Sequence, residues 1–120
     1  MNAHVLVSLA HLLIFLPALL YIGFMRSSIP YSVYYVILAM GIFIALYHFM
    51  KTIKKIQAGA TSSVWVNILH VLAVAPLLIY IGTKKNDSRR EAYELLLILA
   101  FGGVGYHLYS LILETQVYKD

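Results

Sequence analysis

The sequence predicts an all-α integral membrane protein. The expected fold is a four-helix bundle of two same-orientation two-helix repeats, related by a pseudo-two-fold axis along the membrane normal. Three observations carry this expectation. The chain is 62% hydrophobic and 12% charged, with a mean hydropathy of +0.83, whereas soluble domains are about half apolar and a quarter charged. Four apolar runs, at 3–25, 31–50, 64–82 and 92–113, each approach the ~20 residues a helix needs to cross the hydrocarbon core. Finally, residues 11–23, HLLIFLPALLYIG, are echoed 59 residues later by residues 70–82, HVLAVAPLLIYIG. Aligned without gaps, positions 11–57 and 70–116 share 13 identities in 47. Similarity at a fixed offset marks a repeat architecture, so the chain divides into repeats at 1–59 and 60–120.

The first run lacks a basic leading segment, carries Pro17 within the span, and is matched inside the chain by the third run. It is therefore read as a structural helix and not as a cleaved leader. Residues 26–30 form a tight turn, and Pro30 suits the start of the second helix. Residues 51–63 are expected to form a longer basic loop containing Gly59, and residues 83–91 a polar, charged loop. Such connections make consecutive helices antiparallel neighbours. In lipid, backbone groups must be satisfied within each segment, which favours helices for all four runs. Pro17 and Pro76 lie inside their spans, where each removes a hydrogen bond and releases the carbonyl four residues back, on Leu13 and Leu72. They are read as kinks that shape packing, the alternative being that the released carbonyls line a polar cavity.

With four spans, both termini fall on the same side of the membrane. That side carries Lys51, Lys54, Lys55 and Lys119, and the other Arg26, Lys84, Lys85, Arg89 and Arg90. Four cations against five choose no orientation by the positive-inside rule.

The residues with chemical potential are histidines. His11 lies about 10 Å along the first helix at 1.5 Å per residue, and His70 is at similar depth in the third. His48 and His107 lie near the C-terminal ends of the second and fourth helices, which run the opposite way. All four therefore share one leaflet, His11 and His70 being the favoured pair and His48 and His107 the outer pair. Ionisable groups inside spans mark functional sites by default, and histidine is neutral or charged near neutral pH. The competing reading is hydrogen bonding to a neighbouring helix. Ser8 and Asn67, three residues before His11 and His70 and on the same face, are ready partners for it.

Tyr21, Tyr34, Tyr80 and Tyr93 form a second layer in the other leaflet, as interfacial anchors or as the polar far mouth of a path. Tyr47 and Tyr106 immediately precede His48 and His107 and are supporting polar groups. Gly102, Gly103 and Gly105 let a neighbouring helix approach, or else leave room beside His107 for a flat ligand.

Several classes are excluded or disfavoured. Cysteine is absent, which removes disulfides and thiolate chemistry. No span contains lysine, and no phosphate-binding, nucleophile-elbow or metalloprotease motif appears, so no enzymatic activity is expected. No basic stretch interleaved with aromatics suits nucleic acid. The length and four spans resemble the small multidrug transporters, but the only carboxylate read near a span is Glu94, close to an interface, and the central acidic residue is missing. One histidine per helix is similar to b-type cytochromes, whose paired haems sit in opposite leaflets, whereas these histidines share one. Neither family is assigned.

Three functions remain open. The first is a proton or cation pathway, a channel or transporter, through the histidines. Imidazole also binds divalent metals, with His11 and His70 the candidate metal ligands. The second is a haem b protein with His11 and His70 as axial ligands. The third is a structural or accessory membrane protein without transport or cofactor. The expected partners are the lipid bilayer and further copies of the chain, since 120 residues leave little interior room for a pore.

Overall fold

The computed structural model describes residues 2–117, so Lys119 of the charge count lies outside the described residues. Among these residues the regular structure is entirely helical. Helix α1 spans Ala3–Ser28, α2 Tyr31–Gln57, α3 Thr61–Asp87 and α4 Arg90–Val117. All four are long and apolar enough to cross a membrane.

The helices outrun their apolar segments, which corrects both expected loops. Helix α2 continues through Lys51, Lys54 and Lys55 to Gln57, because lysine is a good helix former and cations in a last turn complement the helix dipole. It closes in a Schellman motif, in which Gly59 N–H donates to the Ile56 carbonyl at 3.1 Å and Ala60 N–H to the Lys55 carbonyl at 2.9 Å. Gly59, at φ +73°, supplies the left-handed residue this motif requires. Only residues 58–60 are then left as a connection before the 3-10 turn Thr61–Ser63. Helix α3 likewise runs past Gly82 through Thr83 and Lys84 into a final 3-10 turn, Lys85–Asp87. Pro30 sits immediately before α2 with an extended ψ of 142°, as a residue that begins a helix without continuing the preceding one.

Each internal proline follows a π-helical turn, at His11–Phe15 in α1 and His70–Val74 in α3. Proline cannot donate to the carbonyl four residues back, and the backbone responds by widening. Leu16 N–H reaches the His11 carbonyl, and Ala75 N–H the His70 carbonyl, five residues back in both cases. The released residues Leu13 and Leu72 are each 72% exposed, so their side chains face outward. Helices α1 and α3 also share an unusual ending. Arg26 and Lys85 adopt φ 52° and 54°, a region non-glycine residues seldom occupy.

The chain forms two compact units. One contains α1 and most of α4 (1–26 and 93–120), the other α2 and α3 (27–92). Each unit thus draws one helix from 1–59 and one from 60–120.

Within the α2/α3 unit the helices run antiparallel, matching Tyr35 to Lys85, Leu38 to Gly82 and His48 to His70 along their length. A Cβ placed on Gly82 would lie 2.7 Å from the Leu38 Cβ and backbone nitrogen, so glycine there permits direct backbone approach. Within the α1/α4 unit the antiparallel register matches Asn2 to Glu114, Ser8 to His107, Leu16 to Gly103 and Arg26 to Glu94. Here a Cβ on Gly23 would meet the Leu97 side chain at 2.6 Å.

Large aliphatics such as Leu13, Leu72 and Ile98 face outward, while Ser8, Asn67, His107, Ala75 and Ala100 are buried. Leu16, Leu19, Ile22, Ile37, Leu78, Ile81 and Leu96 are buried between the helices of each pair, so each pair is held by apolar packing together with close small-residue contacts and interhelical hydrogen bonds.

Candidate functional site

Each unit contains one stacked pair of histidine rings. In the α1/α4 unit, His11 and His107 stack with centroids 4.4 Å apart and planes 22° apart. In the α2/α3 unit, His48 and His70 stack at 4.0 Å and 15°. Depth alone suggests an inner and an outer pair. Side-chain packing instead joins one histidine of the HxxxxxP segment to one of the YH segment in each unit.

The rings are held at Nδ1. His11 Nδ1–H donates to the Val7 carbonyl at 2.8 Å, and His70 Nδ1–H to the Val66 carbonyl at 2.7 Å. Both bonds fold the ring back over the preceding turn. The histidines of α2 and α4 bond across the helix pair, where Ser8 and Asn67 act as the interhelical partners. His48 Nδ1–H donates to Asn67 Oδ1 at 2.8 Å, and His107 Nδ1 shares a 3.2 Å hydrogen bond with Ser8 Oγ. A carbonyl acceptor fixes Nδ1 as the protonated nitrogen of the neutral ring and leaves the lone pair on Nε2. That tautomer is set for His11, His48 and His70. At His107 the hydroxyl either donates or accepts, and both tautomers are compatible.

The preceding tyrosines stand edge-on to their histidines at 5.1 Å, Tyr47 on His48 and Tyr106 on His107. The other four tyrosines separate into two groups. Tyr34 and Tyr93 are 0% and 2% exposed, whereas Tyr21 is 45% exposed. The Tyr80 hydroxyl accepts the Arg89 N–H at 3.2 Å. Tyr34 and Tyr93 are thus buried toward the end away from the histidines, Tyr80 is half-buried and Tyr21 is exposed.

Between those levels the α1/α4 unit is closed. His107 and Tyr93 are separated by about 21 Å of helix, and Leu16, Leu19, Ile22, Leu96 and Ala100 in this stretch are all buried. The room that Gly103 leaves is filled, since a Cβ there would lie 2.6 Å from Leu16 Cδ2. At Gly103 the space is taken by helix packing, whereas a Cβ on Gly102 or Gly105 would meet nothing within 4 Å.

The same geometry bears on metals and haem. Among the described residues, no group of three or more His, Cys, Asp or Glu side chains is arranged to hold a metal ion. Face-to-face rings cannot point their nitrogens at one iron from opposite sides, so neither stacked pair fits bis-axial ligation. Ligation through His11 and His70 would take one ring from each unit.

One residue escapes the sequence reading. Glu114 lies within α4, part-buried, where its Oε2 accepts from Asn2 Nδ2 at 2.7 Å. Asn2 Oδ1 in turn caps α1 by accepting from Val5 N–H at 2.9 Å. Glu114 falls seven residues after His107 and hence on the same helix face. That spacing was the available signal, masked because the apolar run stops at Leu113. Glu94, at the opposite end, pairs with Arg26 at 3.6 Å across an exposed surface. No protein-family model, curated protein or solved structure matches the chain.

Proposed function

We propose that this chain is a multi-pass membrane protein that moves protons through its intramembrane histidines, with at least one of the stacks His11/His107 and His48/His70 taking them up and releasing them. The observation that carries the reading is the pair of ring stacks, each with its Nδ1 atoms engaged. Stacking and clamping fix the orientation of Nε2, the atom at which a neutral ring gains a proton. A proton on one ring puts a charge about 4 Å from its neighbour, where a second is opposed by Coulomb repulsion. Each stack therefore holds at most one extra proton. The lack of a three-ligand cluster favours protons over metal ions as cargo.

The buried apolar layer between His107 and Tyr93 supports a gated carrier over an open pore. The π turns supply the movable part, since they begin at His11 and His70 and hold the backbone by five-residue hydrogen bonds. Such turns recur at functional positions in helices.

The matching details 59 residues apart support a duplicated bundle with its repeats inserted in the same orientation about a pseudo-two-fold axis along the membrane normal. They include both π turns, both positive-φ helix ends and both ring stacks. In this arrangement the termini share one side, lipid covers the outward aliphatics, and further copies of the chain are its natural partners.

The test is proton flux into liposomes carrying the purified protein under an imposed pH gradient. Wild type dissipates the gradient, and the His11→Ala/His70→Ala variant does so no faster than empty liposomes. Undiminished flux in the folded variant sinks the proposal.

One observation favours a structural protein instead. Every buried side-chain nitrogen and oxygen among the described residues has a hydrogen-bond partner, as packing histidines would. On that reading wild type shows no flux, and the histidine variants lose only stability.

A further inference from the structure

Resting on the proton-carrier reading above, we infer that the two histidine stacks do different work: the His11/His107 stack transfers the proton, and the His48/His70 stack is a static strut. Two independent differences between the units carry this.

The first is the partner of the interhelical histidine. Asn67 Oδ1 only accepts, so His48 keeps its proton on Nδ1 and exchanges at Nε2 alone. A proton that arrives at Nε2 leaves from Nε2, and nothing passes through the ring. Ser8 Oγ, at the corresponding place beside His107, both donates and accepts. Its hydroxyl gives a proton to Nδ1 while taking one from the mouth, and the ring then releases the proton held on Nε2. Ring and hydroxyl end with as many protons as they began, the His107 tautomer has reversed, and one proton has crossed the ring. The site is reset when the ring turns out of the stack and back, because a return of the tautomer in place would carry the proton back the way it came. An amide cannot replace the hydroxyl in this cycle, because its N–H protons do not exchange on the same terms.

The second difference is charge at the mouth. In α4, Glu114 stands seven residues beyond His107, part-buried and held by Asn2 at 2.7 Å. In α2, the residue seven beyond His48 is Lys55, whose Nζ reaches the Ser63 carbonyl at 3.5 Å. A carboxylate concentrates protons and relays them, whereas an ammonium repels them. Lys51, three residues past His48, adds to the repulsion, while the equivalent residue past His107 is Ser110. Both differences assign the same unit to proton transfer, although one concerns tautomers and the other charge.

The experiment compares flux in liposomes for His107→Ala, His48→Ala, Ser8→Asn and Glu114→Gln, each checked for folding by circular dichroism. The expected result is background flux for His107→Ala and near wild-type flux for His48→Ala. Ser8→Asn, which gives the first unit the amide of the second, is expected to slow flux roughly a hundredfold, and Glu114→Gln roughly tenfold, within the range of general acid–base contributions. Equal losses in His107→Ala and His48→Ala, or full flux in Ser8→Asn, overturn the inference and leave the carrier reading standing. Full flux in all four variants, or none in wild type, overturns both. If His107→Ala fails to fold, Glu114→Gln against Lys55→Gln makes the same comparison, a loss in the first alone being expected and equal effects being contradictory.

Discussion

Leu16 lies in the space left by Gly103, its Cδ2 only 2.6 Å from where a Cβ on that glycine would be. The positions 59 residues away from this pair are Ala75 and Ile44. In one unit the bulk is on the first helix and the small residue on its partner, and in the other the sizes are exchanged. The two pairs differ by one side-chain carbon in total while the source of the bulk alternates, which keeps the volume at this level nearly constant, as tight packing favours.

Gly103→Ile should therefore overpack the α1/α4 unit and destabilise it by about 1–3 kcal/mol. Adding Leu16→Ala reproduces the Ala75/Ile44 arrangement and should recover stability to within about 1 kcal/mol of wild type. Thermal unfolding in detergent of both single variants and the double variant reads this directly. A double variant as unstable as the sum of the singles would show that the two sites do not pack together.

Gly82→Ala should cost more than Gly23→Ala. A Cβ on Gly82 meets the Leu38 backbone nitrogen at 2.7 Å and Cα at 2.8 Å, whereas one on Gly23 meets Leu97 Cδ2 and Cγ at 2.6 Å. A side chain can rotate aside, but a helix backbone moves only by separating from its partner. Unfolding midpoints of the two variants in the same detergent give the ranking, and the reverse order would contradict the close approach of α2 and α3.

Pro17→Ala restores an N–H able to donate to the Leu13 carbonyl. The expected gain is up to about 1.5 kcal/mol, seen as a higher unfolding midpoint. Proton flux should fall at the same time, because the closed arrangement is favoured over one in which the π turn rearranges. A variant that is both more stable and equally fast would remove the π turn from the mechanism.

The stacked geometry fits neither two axial ligands of one iron nor a three-ligand metal site. Purified protein supplied with haem should show no Soret band, and chelator should leave proton flux unchanged. A Soret band that disappears in His11→Ala and His70→Ala would move these histidines to haem ligation.

Much of this was legible in the sequence, for definite reasons. Apolar length alone marks four spans, and residue counting along antiparallel helices brings His107 to the level of His11 in one unit and His48 to the level of His70 in the other. Helix partnership was not legible, because every span is apolar on most of its circumference. Nothing in a pattern of leucines says that α1 packs on α4. The helix ends were misplaced where hydropathy stops before helix propensity does, at Lys51–Gln57 and around Glu114. The π turns are visible only as prolines, since sequence gives the missing donor but not the backbone's response. The division of labour between the stacks rests on Ser8 against Asn67, two small polar residues that look interchangeable until their hydrogen-bonding capacities are compared.

The most direct measurement is nitrogen NMR of the four imidazole rings in protein labelled at histidine and held in lipid bilayers, across about pH 5 to 8, where imidazole ordinarily changes charge. The account predicts that His107 shows both neutral tautomers, as its hydroxyl partner Ser8 allows, while His48 stays protonated on Nδ1 against Asn67 Oδ1. Four rings that remain neutral, each in a single tautomer, over the whole range in folded protein would contradict it.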